Sequence, residues 1–191
     1  MLSKAINNNT ISIPGDIALG ILRLDGVAKP ARAMAIISTM NDTLVIDVET
    51  KKSFAEVGGE RNIRQLGISV AGVYSYQKDA FTAFEEPELG ALEDMIAGAD
   101  RIIGCNIFHF DIPVMEPYMK TGVFGRVEVI DLYRDAVEFL GHRVGLGALA
   151  KATLGASKSG NGLEALQWFR EGKIDLIKKY CEQDVKVTKE M

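Results

Sequence analysis

An α/β fold, a mixed five-stranded sheet with helices on both faces, is what three features of this chain predict. Short branched apolar runs recur as strands between Leu44 and Ile130, helical periodicities alternate with the later strands, and the pattern after Asp131 is helical to the end. The bulk properties agree: 191 residues, 47% hydrophobic and 25% charged, suit one ordinary domain with a real core rather than a disordered chain.

The elements follow in order. Residues 1–40 carry a polar Asn7-Asn-Asn-Thr10 start, Pro14-Gly15 and a Lys29-Pro-Ala-Arg32 hinge. They are expected to be an accessory strand or helix, a partner-binding arm or a misassigned start, with a compact domain opening near Met40 and running over 41–191. Leu44-Val-Ile-Asp-Val48 is the kind of run that becomes a central strand buried on both faces. Strand-like alternation over Ile63–Tyr76 is followed by Gln77-Lys-Asp79 and a hairpin partner, Ala80–Phe84. Pro87, then acids in a first turn and apolar residues at helical spacing, predict a helix over Glu88–Ala97 that Gly98 ends. Arg101–Gly104 reads as a strand, Ile112–Met119 as a helix opened by Pro113 and closed by Gly122, and Val127–Ile130 as the fifth strand. The helical remainder is broken at Gly141, at Gly155 and over Lys158–Gly162.

Charge narrows the function classes. A formal −4 argues against a generally basic binder that gains affinity by neutralising phosphates. It is compatible with an enzyme whose acids are completed by cations, because a bound ion inverts the local charge. Cys105 and Cys181, far apart and without zinc-site companions, are expected to be reduced thiols. The first residues lack a basic and apolar export pattern, and the run Ala33–Met40 is too short for a bilayer, so a cytoplasmic protein with no membrane partner is expected.

Three strings carry chemistry: Asp47-Val-Glu49-Thr50, Asn106-Ile-Phe-His-Phe110-Asp111 and Tyr180-Cys-Glu-Gln-Asp184. Asp47 and Glu49, two apart on a strand, project from one face and can bind one ion together. Such a triplet is common, and alone it would mark a solvated strand end. Here it closes an apolar run, where desolvation would penalise carboxylates lacking a cation or hydrogen-bond partner. Asp111 falls at a helix start, where either an N-cap role, worth about 1 kcal/mol, or a metal- or nucleotide-facing role accounts for it. Asn106 is then available to hydrogen-bond substrate or to fix the turn. Tyr180 and Asp184 share a helix face, and an aspartate in a core-facing stripe is rarely buried unless paired. A dinucleotide-like Gly145-x-Gly147-x-x-Ala150 lacks a preceding strand and is a chance match.

In this order the strings resemble motifs I, II and III of the DEDD 3′–5′ exonucleases, in the DEDDy branch, with wording closest to the proofreading domains of family B DNA polymerases and their stand-alone or helicase-associated relatives. The resemblance spans roughly Met40–Met191. The histidine branch would place His at position 179, where this chain has Lys179. The resemblance implies a ribonuclease H-like fold and a two-metal phosphodiester hydrolysis using two Mg²⁺ or Mn²⁺. Asp47 would bridge the ions, Glu49 and Asp184 would complete the ion nearer the attacking water, Asp111 would support the outer ion, and Tyr180 would orient the water.

It further implies that Thr50 and the residues after it offer amides to the terminal nucleotide. Phe110 serves as a packing residue or a base wedge. Lys158 faces the scissile phosphate or is a solvated loop lysine. The expected substrate is a nucleic-acid 3′ end, DNA ahead of RNA, with a helicase or polymerase as a possible partner. Two other readings compete: a non-catalytic nucleic-acid or partner-binding module, and a structure-selective endonuclease.

Overall fold

The computed structural model describes residues 42–120, 122–155 and 162–191. The expectations for the leader before Met40 and for Lys158 lie outside these. The centre of the sheet is β1 (Asp42–Thr50), which pairs antiparallel with β2 (Ile68–Ser75) and parallel with β4 (Ala99–Gly104). The outer strands are β3 (Ala80–Phe84), antiparallel to β2, and β5 (Glu128–Asp131), parallel to β4, giving the order β3-β2-β1-β4-β5. The sheet is thus mixed and five-stranded, as the apolar runs predict.

Alternation along β1 sends its side chains to two different environments. Leu44, Ile46 and Val48 enter a core with Ala71 and Val73 of β2 and with Leu89, Leu92 and Ile96 of α1 (Leu89–Ala97). On the other face, Val70 of β2 packs with Ile177 and Cys181 of α6 (Ile174–Glu190), with Trp168 and Phe169 of α5 (Gly162–Arg170) against them. Helices therefore cover both faces of the sheet. Burying a Leu or Ile side chain contributes about 1.5–3 kcal/mol, so each layer is held chiefly by these contacts. Among the described residues no helix is long and apolar enough to cross a membrane.

Most strand ends shift by one or two residues from the sequence expectation, and three differences have a local cause. The second strand starts at Ile68, not Ile63, because Glu60–Gln65 forms a 3-10 helix that carries one apolar residue, Ile63, and ends before Gly67 at φ +71°. That left-handed turn is one that glycine adopts without a Cβ penalty. The helix expected to run to Met119 is α2 (Asp111–Met115), which passes into a 3-10 turn over Glu116–Tyr118. Pro117 has no N–H to continue the α ladder. The helix expected from Glu88 begins at Leu89 after a 3-10 turn, Glu86–Glu88, in which the Glu88 side chain accepts from the Glu85 N–H at 2.9 Å.

The remaining helices are α3 (Leu132–Leu140) and α4 (Leu146–Leu154), each closed by a left-handed glycine, Gly141 and Gly155. Gly145 caps α4 after a bend and helix α3, so no strand precedes the dinucleotide-like string.

Candidate metal centre

Asp47 and Glu49 of β1 lie on the face covered by α6. Glu49 is buried and Asp47 half-buried, and two residues after Asp47 the register with β2 slips: Glu49 faces Val70 but Thr50 faces Ile68. The extra residue, Ser69, makes a bulge at the strand end, a device that bends a strand and re-aims side chains beside functional sites. From α6, Ile177, Tyr180, Cys181, Asp184, Val185 and Thr188 are buried, the stripe that an α-helical period puts against a sheet. Asp184 sits in that stripe at 3% exposure. One carboxylate oxygen from each of Asp47, Glu49 and Asp184 lies within 4.8 Å of the other two.

The helix approaches so closely because of Gly72. It stands opposite Asp47 in the β1–β2 register, and a Cβ built on it would meet the Cys181 sulfur at 2.6 Å. In that notch the Cys181 thiol donates toward the Asp47 carbonyl at 3.3 Å and toward its Oδ2 at 3.5 Å. Burial first, and then the neighbouring charges of Asp47 and Glu49, push the thiol well above its ordinary range. It therefore stays protonated and acts as a donor. Three carboxylates this close repel one another, an arrangement that costs stability unless a cation or donors compensate.

Asp111 reaches the same strand end from the chain that follows β4, the parallel neighbour of β1. After β4 the chain turns at Asn106, φ +66°, whose carbonyl accepts from the N–H groups of His109 and Phe110. The turn is closed by the Asn106 main chain. Asp111 is the first residue of α2 and not its N-cap, which is Phe110. Its Oδ1 accepts from the Val48 N–H at 3.0 Å, the amide between Asp47 and Glu49. Asp111 is nevertheless outside the three-carboxylate group, so the structure divides the four expected ligands into a triad and one neighbour. Burial raises its pKa from 3.8 to about 7, with the Asp131 charge adding to the rise and the bond from Val48 opposing it.

Asp131 went unassigned in the sequence and proves central to this corner. Fully buried, it accepts from the N–H groups of Asn106 at 2.7 Å and Phe108 at 3.3 Å, and caps α3 by accepting from Tyr133 at 3.0 Å and Arg134 at 3.4 Å. An aspartate directly before a helical period is an N-cap signal that could have marked the cap. Its grip on the Asn106 loop is a tertiary contact with no local signature.

The other expected residues are placed as follows. The Tyr180 ring is buried edge-on against Trp168, centroids 6.0 Å apart, one turn before Asp184. The Thr50 hydroxyl donates to the Lys52 carbonyl at 3.0 Å. Phe110, partly buried, packs on the main core and edge-on against Phe54 at 6.2 Å. It also borders two hollows. One, of about 420 Å³ and mostly apolar, is lined by Thr50, Phe54, Phe110, Leu163 and Leu166; the other, of about 340 Å³, is lined by Asn106, His109, Phe110 and Arg143.

Searched against protein-family models and against curated proteins, the chain matches none.

Proposed function

We propose that this chain is a metal-dependent 3′–5′ exonuclease that hydrolyses phosphodiester bonds of nucleic acid, single-stranded DNA ahead of RNA, to nucleoside 5′-monophosphates. The observation that carries the reading is the convergence of Asp47 and Glu49 from one strand with Asp184 from the last helix, oxygens within 4.8 Å. The strand order, antiparallel on one side of β1 and parallel on the other, supports a ribonuclease H-like fold.

The donor set is all carboxylate oxygen, which suits Mg²⁺ or Mn²⁺ over softer metals. Such ions supply Lewis-acid stabilisation of the charge that develops on the phosphate oxygens. Asp47, Glu49 and Asp184 are the residues that would hold such an ion, and Asp111, which bonds the Val48 amide between the first two, would support a second. Tyr180, its ring fixed by Trp168, orients the attacking water through its hydroxyl.

The test is a 5′-end-labelled substrate set, single- and double-stranded DNA and RNA, with Mn²⁺. The expected result is a ladder shortening from the 3′ end of single-stranded DNA, abolished by EDTA and by Asp47→Ala with the fold intact. Intact substrates would overturn the proposal, and internal cuts would reassign the site to an endonuclease.

A further inference from the structure

We propose that Cys181 is a positioning residue of the metal centre: admitted by the notch at Gly72, its side chain holds the Asp47 carboxylate where it meets Glu49 and Asp184. The inference rests on Asp47 being a metal ligand, as proposed above. Of the three clustered carboxylates, Asp47 is the least buried, Glu49 and Asp184 both being closed off. A half-buried aspartate at the end of a strand has rotamers that turn into solvent, and a metal ligand needs one of them selected. Cys181 faces both the main chain and the side chain of that residue, with its sulfur 3.3 Å from the carbonyl and 3.5 Å from Oδ2. Groups that bond a metal ligand fix its orientation, and their loss weakens metal binding even though they never touch the ion.

Two further features tie this contact to the site. Cys181 lies between Tyr180 and Asp184 on α6, so the depth at which its sulfur seats sets the depth of both neighbours. That depth is possible only opposite glycine: a Cβ on Gly72 would lie 2.6 Å from the sulfur and 3.0 Å from the Phe81 ring. The sulfur occupies the space that a side chain would fill at any other residue there. A thiol suits the place chemically. It is apolar enough to pack with Val70 and Ile177, and its S–H still offers a weak donor.

A cysteine that merely fills the core predicts something different, and Mn²⁺ calorimetry on the full chain separates the two roles. Cys181→Ala removes donor and bulk, whereas Cys181→Ser removes much the same bulk and keeps a donor. The expected result is Mn²⁺ binding weakened about tenfold in the alanine variant, the low end for loss of such a contact because S–H donates weakly, with serine within about threefold of wild type by the same reasoning. Melting temperatures in EDTA should fall equally in both. Gly72→Ala should also weaken Mn²⁺ binding, and combining it with Cys181→Ala should cost no more than the worse single change, since both act through one contact.

Equal weakening in alanine and serine, or none in either, would overturn the role. Should the alanine variant fail to fold, Cys181→Val, which keeps bulk without a donor, is judged by the same criteria. If wild type itself takes up no Mn²⁺, the metal centre fails and the Cys181 role with it. Wild-type uptake with an unaffected alanine variant removes the Cys181 role alone.

Discussion

The two faces of β1 are built from alternate residues of one nine-residue strand, yet they are stabilised in different ways. Leu44, Ile46 and Val48 meet Leu92 and Ile96 in hydrocarbon, and that packing depends on nothing outside the chain. On the opposite face the Val70, Ile177 and Cys181 cluster is small, and beside it stand Asp47, Glu49 and Asp184. The contrast separates the packing that folds the domain from the acids proposed above to act. The first face is hydrocarbon packed on hydrocarbon; the second brings three like charges together, and on the proposed reading a cation offsets their repulsion.

The sharpest way to break that contrast is to perturb each face with and without Mn²⁺. Leu92→Ala should lower unfolding stability by about 3 kcal/mol, the usual cost of a buried leucine truncation, equally in EDTA and in Mn²⁺. Asp184→Asn should do the reverse, raising the melting temperature of the metal-free protein by removing one of three repelling charges. Wild type should gain roughly 2.7 kcal/mol at a Mn²⁺ concentration one hundred times the dissociation constant, and the asparagine variant much less. Denaturant melts of the three proteins test both halves. Mn²⁺ protection of the Leu92 variant alone, or equal protection of all three, would erase the distinction between the faces.

A smaller effect is expected from Asp111, which belongs to neither cluster. Its folded pKa of about 7 stands above the ordinary 3.8. The unfolded chain therefore gives up this proton at lower pH than the folded one. Below 3.8 both states hold it; between there and about 7 stability declines as pH rises, and above 7 the penalty is constant. Asp111→Asn keeps an acceptor for the Val48 N–H and removes the titration. Thermal melts of the metal-free variant from pH 4 to 8 should decline less with pH than those of wild type, and parallel profiles would refute the buried-acid origin of the slope.

How much of this was legible in the sequence depends on how local the cause was. Asp47 and Glu49 on one strand face, and Tyr180 one turn before Asp184, follow from backbone periodicity alone, and the structure keeps both relations. The strand run at Leu44–Val48 and the hairpin at Ala80–Phe84 were legible for the same reason. Residues 63–67 were not, because two apolar residues three apart, Ile63 and Leu66, are too few to set a period and a left-handed glycine decides the turn. Contacts between distant segments left no mark: Asp111 bonds an amide 63 residues away, and Cys181 bonds a residue 134 away. Gly72 carries no local signal either, since its close approach to Cys181 exists only where α6 lies against the sheet.

The proposed metal centre is tested most directly by a crystal structure of the protein soaked in Mn²⁺ with a nucleoside 5′-monophosphate. Mn²⁺ bound by carboxylate oxygens of Asp47, Glu49 and Asp184, with the phosphate of the nucleotide beside it, is the expected result. Carboxylates left without metal at saturating Mn²⁺, or Mn²⁺ bound only elsewhere on the surface, would contradict it.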